Sequence, residues 1–245
     1  MAKFTESKGI LGMVGPVYVR TFRGKKIMQS RPQRTSSDKE KNISANFMRK
    51  VSLVMSVLKR KLVQQMDRRL DSYLQPRLTG KVLQILYKEK QVPLAERSVF
   101  SLDCSGLVGF ECNSNTLFKD TFHVPVVVNR ESVTSLRVTI PGFIPREQVI
   151  FPNGCIEAVL RLTTVTIHSP QDELTEPPRE FSICFRLGDS FVEEVSKDCN
   201  SLLEQEKFEV VVADIQFFYP IKSVPQRLSL YNSKVYNPSM MVYAK

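Results

Sequence analysis

From Ile43 to Tyr73 an apolar side chain recurs every three or four residues: Ile43, Phe47, Val51, Val54, Leu58, Leu62, Met66, Leu70 and Tyr73. A helix with 3.6 residues per turn places all of them on one face. The polar side carries Arg49, Lys50, Lys59, Arg60, Lys61, Arg68 and Arg69. Ser37 followed three residues later by Glu40 fits a capping box at the start. The pattern covers more than 30 residues, beyond the usual globular helix. Such a stripe needs a cover: a core, a neighbouring chain, a membrane surface, or a break near its middle. Pro76 is expected to close the pattern, with a second helix over Thr79–Lys90 ended by Pro93.

From Ser98 onward the texture changes. Val99–Leu102 leads into Cys104, and further strands are expected at Phe122–Val128, Ser135–Ile140, Ile156–His168, Glu180–Leu187, Phe208–Tyr219, Ser229–Tyr231 and Met240–Tyr243. Within Arg161–Ser169, Leu162, Thr164, Thr166 and His168 alternate with Arg161, Thr163, Val165 and Ile167, the period of a strand. Proline-bearing links separate the segments. Pro125 marks its strand as an edge or a bulge. Phe191–Leu203 reads as a helical or irregular insertion. Short strands without interleaved helices favour an antiparallel arrangement. The expected fold class is α+β, a β-sandwich-like body with an N-terminal hairpin arm and a long amphipathic helix. A barrel of the same strands is the nearest competitor.

The front segment, Gly9–Pro32, is punctuated by Gly9, Gly12, Gly15 and Gly24. Val17–Phe22 and Lys26–Met28 read as a hairpin turning at Gly24 and stopped by Pro32. A Walker loop requires GxxxxGK[ST] between strand and helix, and that spacing is missing.

Charge divides the chain at residue 95. Residues 1–95 hold 21 Lys and Arg against 6 Asp and Glu; residues 96–245 hold 14 against 19. The net charge of +10 is therefore owed to the front alone. We divide the chain into a basic arm with helices, 1–95, and a strand-rich domain, 96–245. An asymmetry of this kind speaks of partners rather than fold. The five cysteines, Cys104, Cys112, Cys155, Cys184 and Cys199, lack zinc spacing and read as reduced, mostly buried thiols. His123 and His168 read as structural. Cys104-Ser105-Gly106 has no positioned base beside it in sequence. The acidic Asp172, Glu173 and Glu176 read as a solvated loop. No catalytic residue, metal ligand or cofactor is assigned. No apolar run is long enough for a membrane span and the start lacks a signal-peptide core, so a cytoplasmic or particle-associated protein is expected.

Gly9-Ile10-Leu11-Gly12, Gly15, Phe22, Gly24, Met28, Arg31-Pro32, Ser36-Ser37 and the helix carrying Phe47 resemble a family of uncharacterised proteins common in Bacteroidetes bacteria. That family places a Trp before the hairpin glycine, where this chain has Phe22 and Arg23. The likeness covers residues 9–60. It implies a bacterial, non-secreted protein of cellular or mobile-element origin with a strand-rich second half, and it lends no catalytic residues.

These features point to a non-enzymatic structural or interaction protein, a subunit of a multi-copy assembly docking through its basic front. The contact residues would be Arg20, Phe22, Arg23, Lys25, Lys26 and Arg31 in the arm and Arg60, Lys61, Arg68 and Arg69 on the helix. The partner would be a protein or a second copy of the chain. The alternative is sequence-nonspecific nucleic-acid binding, the same cations tracking phosphates.

Overall fold

Ten consecutive residues, Phe208–Phe217, are buried in the computed structural model. Such a run requires cover on both faces of its strand, and the fold is built around that requirement. The structure describes residues 3–5, 9–22, 25–30, 39–66, 69–132, 135–169, 179–200, 207–221 and 224–245. The chain forms two compact units, Met1–Asn42 and Ile43–Lys245. This packing boundary at 42 is distinct from the charge boundary at 95.

The first unit holds a four-stranded antiparallel sheet, in order β1 (Lys3–Thr5), β2 (Gly9–Val14), β3 (Val17–Phe22) and β4 (Lys25–Ser30). The expected hairpin is β3–β4, paired from Val17↔Ser30 to Phe22↔Lys25. Its turn glycine, Gly24, lies outside the described residues, as does Ser37 of the capping box. A second hairpin joins β2 to β3 through Gly15-Pro16, with Val14 opposite Val17. Gly15 has φ +57°. Pro16 cannot follow it into positive φ, so the two-residue turn takes the form with glycine first.

The second unit opens with α1 (Lys39–Gln65, whose first turn belongs to the first unit) and continues with α2 (Leu74–Lys88). The apolar stripe is thus helical only as far as α1 reaches, and Met66, Leu70 and Tyr73 lie between α1 and α2. Pro76 does not end it. It sits in the first turn of α2, where its missing N–H would have had no helical partner. At the far end, the Arg97 guanidinium donates to the Leu86 and Val92 carbonyls, and the first of these belongs to the last turn of α2.

The strands that follow are β5 (Val127–Ser132), β6 (Ser135–Ile140), β7 (Glu157–Ile167), β8 (Arg179–Arg186), β9 (Val195–Asn200), β10 (Phe208–Ile221), β11 (Val224–Leu230) and β12 (Ser239–Ala244); a single turn of helix, α3 (Pro145–Gln148), lies between β6 and β7. The larger sheet runs β11-β10-β7-β8, with β12 on the same side of β10 as β11. The smaller runs β5-β6-β9. All pairings are antiparallel.

Two apolar clusters lie on opposite faces of β10. Phe208, Val210 and Val212 join α1, α2 and the β7 residues Val165 and Ile167. Val211, Ala213, Ile215 and Phe217 join Leu136, Val138 and Ile140 of β6 and a group of phenylalanines. In that group the Phe143 and Phe185 rings meet edge to face at 5.1 Å. Leu58 and Leu62 on α1 are fully buried, so the helix is covered by the body of its own unit.

Three expected segments differ. Val99–Leu102 forms turns rather than a strand. Phe122 makes one bridge to Val149, and β5 starts only at Val127, past Pro125. Phe191–Leu203 contains β9. Val195–Cys199 are exposed or half-buried on both faces, so the alternation that betrays a strand is missing.

Candidate interaction site

The flank of α1 beside the buried stripe behaves differently along its length. Asn46, Lys50, Leu53, Val57 and Lys61 follow one another at helical spacing along it. At Val57 and Lys61 the flank is sealed: both are 2% exposed, and the Lys61 ammonium donates to the Thr166 carbonyl at 2.7 Å. At Asn46, Lys50 and Leu53 it is open. A cleft of about 390 Å³ follows it, closed by Ile43, Phe47 and Arg49 along the helix and by Ala95 across from it. Leu53 is 46% exposed and Ile43 41%. The Tyr87 ring of α2 braces Phe47 edge to face at 5.5 Å, and its hydroxyl meets Ser44 at 3.4 Å. The cleft therefore has an apolar floor and two cations, Arg49 and Lys50, in its lining.

Of the expected contact residues, Arg60 is exposed, on the outer side of α1 with Arg49 and Leu53. Lys61 is buried, so it belongs to the core and not to the basic surface. Its stem is buried while its ammonium finds a carbonyl. Arg69 is half-buried after α1. Arg20, Lys25 and Lys26 are exposed in the arm sheet. The side chain of Phe22, and Arg23, Arg31 and Arg68, lie outside the described residues. Leu53, Asn46 and Ala95 were not foreseen as part of a site. The trace of one was present: Leu53 is an apolar residue lying off the stripe.

Several charged groups in the body pair with one another. Arg161 and Asp214, opposite each other on β7 and β10, pair at 2.9 Å with Asp214 fully buried. Arg130 of β5 joins Glu209 of β10 and donates to the Tyr243 hydroxyl at 2.9 Å. Asp71 accepts from the Tyr73 amide at 2.8 Å and the Ser114 hydroxyl at 2.7 Å, and pairs with Arg77 at 3.1 Å. Burial alone would raise the Asp71 carboxyl; these donors and the guanidinium together hold it below its ordinary value. Burial raises Glu111 despite the Phe118 and Lys119 amides it accepts.

Burial likewise pushes the Cys104 and Cys112 thiols up to about 12, which keeps them protonated and unreactive. His123 is exposed and His168 half-buried. Among the described residues, no three His, Cys, Asp or Glu side chains gather as a metal site, and no helix is long and apolar enough to cross a membrane. No family model, no curated protein and no solved structure matches the chain, so the cleft and the charges around it carry the functional reading.

Proposed function

We propose that this chain is a non-enzymatic interaction protein that binds an acidic, amphipathic protein segment in the open cleft of α1, with the basic arm adding long-range attraction. In this reading the two antiparallel sheets of the second unit, which share the phenylalanine cluster, serve as a sandwich-like scaffold. The observation that carries this reading is the change along one helix flank, sealed at Val57 and Lys61 and open at Lys50 and Leu53. A helix laid into such a groove would cover Ile43 and Leu53 and set carboxylates against Arg49 and Lys50.

Magnitudes favour a protein over a nucleic acid. Covering the exposed half of Ile43 and of Leu53 is worth about 1 kcal/mol each. A solvent-exposed ion pair contributes about 0.2–1 kcal/mol. A phosphate backbone would engage the cations and leave the apolar floor wet. The test is fluorescence anisotropy with a labelled acidic amphipathic helix and, separately, a labelled 20-nucleotide single strand, from 50 to 300 mM salt. The peptide is expected to bind, with Leu53→Asp abolishing binding and leaving the circular dichroism spectrum unchanged. Tighter binding of the oligonucleotide, falling steeply with salt and indifferent to Leu53→Asp, would replace this reading with the nucleic-acid one.

A further inference from the structure

The outer edge of β8 faces no partner strand among the described residues. Among the described residues β8 pairs only with β7, in continuous register from Glu157↔Arg186 to Thr164↔Arg179. The Leu187 amide donates to the Ile156 carbonyl one step beyond. In an antiparallel ladder this fixes the alternation: the backbone groups of 181, 183 and 185 face β7, and those of Glu180, Ser182, Cys184 and Arg186 face outward. Arg186 closes the row, because its amide donates to the Asp189 carboxylate and its carbonyl accepts from the Asp189 amide. The residues at 180, 182, 184 and 186 are all exposed, while Phe181 and Ile183 are half-buried and Phe185 is buried.

Strand edges are commonly blunted by a bulge, a proline, or a charge aimed inward. The other outer strands of the second unit carry such devices. The β5–β6 register shifts at Arg130/Ser132. β10–β11 and β10–β12 shift as well, and β11 contains Pro225. β9 turns Lys197 inward, its ammonium 4.6 Å from the centre of the Phe181 ring. β8 has no bulge against β7, no proline and no glycine; the inward positions of the stretch that would pair are Phe181, Ile183 and Phe185, and its one inward charge, Arg179, stands at the first residue, outside that stretch.

We propose that β8 pairs with β8 of a second copy of this chain, antiparallel about a two-fold axis at Ile183. The charges select that register. Centring on Ile183 sets Glu180 opposite Arg186 of the second copy twice over, and Ser182 opposite Cys184 twice over. Ser182 and Cys184 supply about four inter-chain backbone hydrogen bonds, and the Asp189-capped Arg186 ends the ladder. The larger sheet then runs continuously through both copies. This surface is separate from the α1 cleft, and the proposal does not depend on what the cleft binds.

Sedimentation equilibrium of the full chain tests it, and the species expected is twice the 28.0 kDa chain mass. Glu180→Arg and Arg186→Glu are each expected to raise the dimer dissociation constant about tenfold or more, and the double reversal to restore it. Ser182→Cys is expected to give a disulfide-linked dimer through Cys184 under mild oxidation, because directly opposed Cα atoms lie about 5.5 Å apart. A wild-type monomer at about 100 µM overturns the proposal. So does a dimer that neither responds to Glu180→Arg nor cross-links in Ser182→Cys. Peptide binding at the cleft, read on the same samples, keeps the two proposals distinguishable.

Discussion

Arg60 and Lys61 are neighbours in the chain with opposite surroundings: one is exposed, the other buried with its ammonium on the Thr166 carbonyl. Substitution by alanine separates the two roles. Lys61→Ala removes a charged hydrogen bond and a buried stem, and is expected to cost about 1.5–3 kcal/mol in urea unfolding. Arg60→Ala is expected to stay within about 0.5 kcal/mol of wild type, and to act only on binding. Asp71 gives a pH signature. Its folded carboxyl is held below its ordinary value of 3.8. The native state therefore binds fewer protons than the unfolded state as the pH falls through that range, and stability is lost there. Asp71→Asn is expected to cost about 2–3 kcal/mol at pH 7, and the gap to wild type should close as the pH drops below about 4. Urea titrations at pH 7, 4 and 3 read both effects.

Among elements, the proline in α2 shows what a sequence pattern does and does not specify. The helical period was legible through Leu62, and α1 follows it. The helix then ends at Gln65 although Met66 and Leu70 keep the spacing and are buried. Their burial serves the same core from a bend, so period alone could not separate helix from turn. Pro76 read as a stop because an interior proline breaks a helix, yet in a first turn it breaks nothing. Pro76→Ala is therefore expected to change stability by less than about 1 kcal/mol, whereas Leu58→Ala on α1 is expected to cost about 2–5 kcal/mol. Thermal and urea unfolding distinguish them. The strands with one or two buried faces, β6, β7, β8 and β10, were legible from alternation or from unbroken apolar character. β9 was not, because Val195–Cys199 are exposed or half-buried on both sides. Of the candidate site, the exposed cations were readable. The cleft was not, since it depends on Ala95 arriving opposite α1 from a loop more than 40 residues away in sequence.

For the whole molecule, the division into Met1–Asn42 and Ile43–Lys245 matters because both apolar clusters lie in the second unit. A chain lacking residues 1–42 is expected to keep a cooperative unfolding transition and the same near-ultraviolet dichroism. A molten, non-cooperative product would show that the arm is needed to complete a core. Residues 43–95 keep 11 Lys and Arg against 3 Asp and Glu. The shortened chain should therefore retain a basic flank and bind the acidic peptide more weakly rather than not at all, measured by anisotropy at 50 mM salt.

The buried run of β10 also sets an order of events during synthesis. Its β7 partner is made earlier, but the partner of Val210–Asp214 on the opposite edge is β12, which is made after it. Until Ser239–Ala244 leave the ribosome, the stretch Phe208–Phe217 has one edge unpaired, with high β-propensity, few charges and no proline within it. Such a segment is a template for aggregation. A nascent chain that stalls short of β12 would be a substrate for chaperones, and loss of that one strand would be felt first as insolubility rather than as lost binding.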